Sequence, residues 1–158
     1  GHVMKVAMQY QKRFWDQKQS IGQRVFTDTR LRRVYHFSID QPGPRGILLT
    51  FTSGEDAKKL GRLSEERRMR VAKETCENIW PESSQYWENG ITKYWNEDPW
   101  VKASYSIAGV GQKGFRDILA KPEGPIYFAG EHTAFYRASM NGAIESGLRA
   151  KSELIQTL

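Results

Sequence analysis

Two stretches near the C-terminal end hold the residue types best suited to chemistry. Ile126-Tyr127-Phe128-Ala129-Gly130-Glu131-His132-Thr133 reads as a strand running into a loop. Ser139-Met140-Asn141-Gly142-Ala143-Ile144-Glu145-Ser146-Gly147 then opens a helix. A strand that ends on glycine lets a ligand approach the backbone closely. A helix whose first turn carries Gly142 and Ala143 leaves its free amides accessible. Their positive dipole end attracts an anion, or a group gaining negative charge. On spacing alone an ordinary strand–turn–helix unit is the favoured reading.

Other candidates are weaker. Gly109-Val110-Gly111-Gln112-Lys113-Gly114 has the spacing of a dinucleotide-binding turn. It follows no clear hydrophobic strand, and no acid sits about 20 residues later on a second strand to hold a ribose. It is read as a loop. Arg30, Arg32, Arg33, Lys58, Lys59 and Arg62 are basic clusters, and Arg67, Arg68 and Arg70 look like a solvated helix face. Nucleic-acid binding would need such cations on one face with stacking aromatics. His2, His36 and His132 are too scattered for a metal site.

The elements that must position these residues fit into 158 residues with net charge +6, the size of one domain. Hydrophobic residues at 39% and aromatics at 12% supply a core, which excludes disorder. Apolar runs fall far short of the ~20 residues that span a bilayer. A single Cys76 excludes an intrachain disulfide framework and a cysteine-based zinc site. A soluble, cytoplasmic chain with no leader is expected.

Alternation puts Met4, Val6, Met8 and Tyr10 on one strand face, and Lys5, Ala7 and Gln9 on the other. Leu31 to Ser38 and Gly46 to Thr52 read as an antiparallel pair across the turn Gln41 to Gly46. Ser53 caps a short helix ending near Gly61, and Ser64 caps a longer one with Met69, Ala72, Cys76 and Ile79 on one stripe. Pro81 ends it. Tyr86 to Trp100 is an aromatic-rich segment with no assigned element, and Val101 to Val110 is extended or looped. Gly111 to Leu119 is a short helix. Ile126 to Gly130 is a short buried strand, and Met140 to Leu158 a helix with Ile144, Leu148, Leu154 and Ile155 on one side.

The run from Tyr127 to Thr133, followed by Asn141 to Ala150, closely resembles the C-terminal flavin-binding motif of the flavin-containing amine oxidases. That family includes monoamine oxidases and L-amino acid oxidases. Val3-Met4-Lys5-Val6 leading to Phe14-Trp15 looks like the family's lysine strand, and Trp95 with Ala103-Ser104-Tyr105 resembles its tryptophan and flavin-facing aromatic segment. The resemblance covers nearly the whole chain and implies the back portion of a longer enzyme.

The roles it implies are carried residue by residue. Lys5 matches the lysine beside the flavin N5 atom, where reduced flavin meets oxygen. Tyr105 matches an aromatic wall on the substrate side of the flavin, and Trp95 a tryptophan packed near it. Glu131 matches the acid that bonds the ribityl or ribose-phosphate region, and Gly130 lets the cofactor approach. Ser139, Met140 and Ala143 match the contact of the last helix with the pyrimidine end. His36 lies near where some relatives place a tyrosine for the substrate carboxylate; a satisfied strand histidine is its competing reading. Ala138-Ser139 stands where Gly followed by an aromatic is common, and Ala103-Ser104 where Gly-Gly is common, so the substrate wall departs from the family.

The fold implied is α+β: a mixed, mainly antiparallel sheet with helices on one face, then the C-terminal strand–loop–helix of an FAD-binding domain. Residues 1–110 would belong to the substrate part and 111–158 to the flavin-binding part, with the N-terminal Rossmann half absent. The whole enzyme would oxidise an amine or L-amino acid by hydride transfer to FAD, and pass electrons to O2 to give H2O2. The chain alone would bind little FAD and turn nothing over. Its implied partner is a separate Rossmann half or a second copy, with no nucleic acid and no membrane. The alternative is a non-catalytic module or a complementing subunit.

Overall fold

The computed structural model describes residues 1–17, 24–112 and 114–157. The chain divides into two compact units, one from His2 to Ser104 and the other from Tyr105 to Leu158 with Gly1. The division falls six residues before the expected one. Tyr105 to Val110 goes with the C-terminal unit because Ser106 is hydrogen-bonded to Glu131.

Among the described residues the first unit is built on a six-stranded sheet. β1 (Val3–Tyr10) runs through its middle. On one side it pairs with β4 (Gly46–Thr50) and β5 (Thr52–Ser53), and on the other with β6 (Trp87–Tyr94). β3 (Arg33–His36) joins β4, and β2 (Arg24–Phe26) is the edge. Every pairing among the described residues is antiparallel, where a mixed, mainly antiparallel sheet was expected.

The two faces follow from alternation. Met4, Val6, Met8 and Tyr10 are buried to 1% exposure or less. Each such side chain contributes roughly 1.5–3 kcal/mol when taken from water. Leu48, Val34 and Thr50 join them from neighbouring strands. This inner face is covered by α1 (Gly54–Gly61) and α2 (Glu65–Ile79), which bring Ala57, Leu60, Ala72 and Cys76 into the core. The Ser64 hydroxyl caps α2 by accepting from the Arg67 amide. Burial pushes the Cys76 thiol up to about 12, so it packs as a small apolar group.

Two strands escape the sequence reading. β2 is three residues long, and β6 has a register shift between Trp87 and Asn89 and buries only Thr92, so neither shows clean alternation. A third difference is Arg68. It is 3% exposed instead of lying on a solvated face. Its guanidinium donates to the Leu60 carbonyl at 3.2 Å and to the Gly61 carbonyl. The Leu60 carbonyl also accepts from the Leu63 amide at 3.0 Å, so the Gly61 carbonyl, at the end of α1, is the one that depends on Arg68.

The second unit holds α3 (Phe115–Ala120) and α4 (Met140–Gln156). Ile126 to Gly130 forms no strand. Its one bridge is Ile126 with Glu123, and Ile126 is 56% exposed. Without a neighbouring strand the segment's carbonyl at Phe128 goes to Arg149 of α4, at 2.7 Å. Gly109 to Gln112 forms a turn before α3, not the strand-to-helix corner of a dinucleotide site. Among the described residues no helix is long and apolar enough to cross a membrane.

Candidate functional site

In the first unit the sheet's outer face carries Lys5, Ala7 and Gln9 of β1. Across from Lys5 stands Lys93 of β6. The Lys5 ammonium lies 5.6 Å from the centre of the Phe51 ring. Lys93 Nζ lies 5.0 Å from the Trp95 ring and donates to Asp98 at 3.0 Å. The face therefore brings Lys5 and the turn that carries Trp95 to the same end of the sheet.

That turn, Trp95–Glu97, is held from behind. Arg68 donates to both carboxylate oxygens of Glu97, one at 2.8 Å. The same guanidinium rests 5.6 Å from the Tyr94 ring. The bond from Arg68 outweighs partial burial and holds the Glu97 carboxyl below its usual range. Asp98 closes the next turn by accepting from the amides of Trp100 and Val101. These bonds, with Lys93, bring its pKa down to about 2.

His36 lies on the other face. It stands across from buried Leu48, and its ring meets Trp15 edge-on at 5.3 Å. Nδ1 is 3.6 Å from Asp16, and buried Nε2 has no partner among the described residues. Burial lowers its pKa, opposed by Asp16 and aided by Arg13, so the imidazole is neutral at pH 7. The β3 residues that share the Lys5 face are Arg33 and Tyr35, the latter across from Leu49. Parity along the strand was the signal: Val34 is apolar and inward, so Tyr35 must point outward.

In the second unit Glu131 is the hub. Its carboxylate accepts from the Ser106 amide at 2.7 Å, the Ser106 hydroxyl at 2.8 Å and the Ala138 amide at 2.7 Å. Burial raises its pKa, but the three donors win and the carboxyl sits below its usual range. Glu131 thus fastens the Tyr105 segment to the loop before α4. Tyr105 itself is half-buried. From the other side Glu145 accepts from the Phe135 amide at 3.2 Å and the Tyr136 amide at 3.5 Å. Two carboxylates therefore fix the loop that leads to Ser139.

Two glycines are required here. Gly130 has φ 147°, and a Cβ would strike the His132 ring. Its amide donates to Ser146 Oγ at 2.8 Å, which ties the turn to α4. A Cβ on Gly142 would run into the Tyr136 carbonyl. By contrast Ala138 adopts φ 58° without being glycine.

Ser139 caps α4: its Oγ accepts from the Gly142 amide at 3.0 Å, and its carbonyl from Ala143 at 3.1 Å. The amides of Met140 and Asn141 have no acceptor among the described residues. They are the first-turn donors left for an anion or an electron-rich ring edge. Met140 is 85% exposed, and Ile144 and Leu148 continue its stripe at 64% and 61%. The expected apolar side of α4 is real, but it faces outward.

A sequence profile of flavin containing amine oxidoreductases matches residues 1–155. The chain is 32% identical to the flavin-dependent L-tryptophan oxidase RebO of Lentzea aerocolonigenes, over 92% of this chain and 33% of the relative. It is 29% identical to the putative L-amino-acid oxidase YobN of Bacillus subtilis, over 95% of this chain and 32% of that protein. The fold matches putrescine oxidase bound to putrescine, with TM-score 0.83 at 24% identity, over 99% of this chain and 35% of that one. Cyclohexylamine oxidase from Brevibacterium oxydans matches with TM-score 0.84 at 18% identity, over 99% of this chain and 35% of that one. The chain spans about a third of the length of these relatives. It belongs to the flavin containing amine oxidoreductase family.

Proposed function

We infer that the chain supplies the substrate-facing sheet and the last flavin-facing helix of an FAD-dependent oxidase of amines or L-amino acids. The observation that carries this reading is the family match over residues 1–155, on a chain a third as long as its relatives. The local chemistry fits FAD. The free amides of Met140 and Asn141 suit the electron-rich end of a flavin. The tight turn at Gly130 lets a large cofactor approach backbone. Glu131 sets that turn by its three bonds and has one lone-pair direction left for a hydroxyl.

When bound, FAD would accept a hydride from the carbon beside the substrate nitrogen and return electrons to O2. The chain's own groups do the rest. Lys5 places an ammonium on the outer face, where it stabilises negative charge developing on oxygen. Tyr105 walls the substrate side and excludes water, and Trp95 packs beside the ring system. Ser139 and Ala143 hold the start of α4 in register, so that Met140 and Asn141 present their amides. His36, neutral and turned inward, positions Trp15 and the β3 end and takes no part in binding substrate.

The exposed stripe Met140, Ile144 and Leu148 is the surface that the nucleotide-binding half would cover, so the chain alone retains no FAD and is inactive. The test is reconstitution. The chain is mixed with FAD and the separate N-terminal half of the related L-tryptophan oxidase, then passed through a sizing column. Co-elution of both chains with flavin supports the reading. Flavin retained by the chain alone, or by neither mixture, sinks it.

A further inference from the structure

The outer face of the sheet carries cations on rings. Arg24 lies 5.7 Å from the Tyr35 ring, Arg33 5.8 Å from Phe26 and Lys5 5.6 Å from Phe51. The register makes these one surface. Arg24 stands across from Tyr35 and Phe26 from Arg33; Tyr35 stands across from Leu49, and Leu49 from Ala7. Among the described residues no carboxylate comes within 4.0 Å of Arg24, Arg33 or Lys5. Arg32, one residue away and of opposite parity, is paired with Asp56 at 2.7 Å. On this face Lys93 is paired with Asp98, and Arg24, Arg33 and Lys5 are the cations left without a carboxylate among the described residues.

A groove of about 570 Å³ opens at the same edge, with Phe26, Phe51 and Arg33 on its walls. That is the scale of a small-molecule site. Its two acids do not cancel Arg33, since Glu55 is bonded to Lys58 and Asp56 to Arg32. Aromatic walls beside an uncompensated guanidinium suit a ligand with an apolar body and a carboxylate. The planar fork of arginine matches a carboxylate in two-point fashion. A bare ammonium ligand is repelled by the same field.

We propose that the β2–β3 end of this face binds the carboxylate of a small amphipathic molecule, with Arg33 and Arg24 reading the charge and Phe26, Tyr35 and Phe51 packing the body. Its consequence rests on the oxidase reading: in an assembled oxidase this face favours amino acids over simple amines. The binding itself needs neither flavin nor a second chain.

The test is an amide NMR titration of this chain with indole-3-acetate and with tryptamine, which share a ring and differ in charge. Indole-3-acetate shifts the amides of β2, β3 and Phe51 saturably, and added salt weakens it. Tryptamine leaves them in place. The exposed double variant Arg24→Gln with Arg33→Gln keeps the spectrum of the core and binds indole-3-acetate roughly fivefold or more weakly. Equal binding of tryptamine, unchanged binding by the double variant, or shifts confined to other residues overturns the proposal. The two readings fail separately. Binding here without flavin retention in the reconstituted mixture sinks the oxidase alone. Flavin retention and turnover without binding here sinks this proposal alone.

Discussion

Lys5 and Lys93 oppose each other across β1 and β6, yet their surroundings differ. Lys93 is bonded to Asp98 at 3.0 Å, whereas the Lys5 ammonium has the Phe51 ring as its neighbour. Lys5 therefore keeps its full field on the outer face, while the Lys93 charge is largely compensated.

In a reconstituted oxidase, Lys5→Met slows flavin reoxidation by O2 at least ~10-fold, about 1.4 kcal/mol of barrier. Lys93→Met changes it by less than ~2-fold, because Asp98 already balances that charge. Stopped-flow reoxidation of the reduced flavin checks both.

Arg68→Leu destabilises the first unit by about 2 kcal/mol, because it leaves the Gly61 carbonyl buried and unbonded, while the Leu60 carbonyl keeps the Leu63 amide. Glu97→Gln costs about 1 kcal/mol or less, since Glu97 is half exposed. Urea unfolding of the two variants separates these costs.

Ala138→Gly stabilises the second unit by about 1 kcal/mol, because Ala138 holds φ 58° at a steric cost that glycine does not carry. Gly142→Ala acts the other way, by roughly 1–3 kcal/mol, as its Cβ displaces the Tyr136 carbonyl. Thermal unfolding followed in each variant reads both signs.

Asp98 titrates near 2 when folded, against an ordinary 3.8. A depressed folded pKa means that its stabilisation is present above 3.8 and is lost as pH falls through 2. Asp98→Asn keeps an acceptor for the Trp100 and Val101 amides and removes only the charge. The urea midpoints of wild type and variant therefore converge as pH drops from 4 toward 2. A constant gap across that range contradicts the assignment.

Much of the fold was legible because local rules agreed with the tertiary outcome. The alternation of Met4 to Tyr10 is the inner face of β1, and Ser64 and Pro81 bound α2 as their chemistry requires. What was not legible depends on contacts remote in sequence. Arg68 is buried because the end of α1 offers carbonyls to it. β6 exists because β1 needs a partner on its second edge. Ile126 to Gly130 has strand-forming residues but no neighbouring strand. At the site, the glycines, Glu131 and the helix opening could be read from residue order, but the several bonds that Glu131 makes to its own unit could not. Tyr35 was within reach of strand parity, whereas Arg24 and Phe26 were hidden by the shortness of β2.

The most direct measurement is an anaerobic titration of the reconstituted flavoprotein with an L-amino acid. The account predicts that the oxidised flavin bleaches stoichiometrically, and that readmitted O2 restores it with release of peroxide. A flavin that stays bound and oxidised through the titration, with amino acids and with simple amines alike, would contradict it.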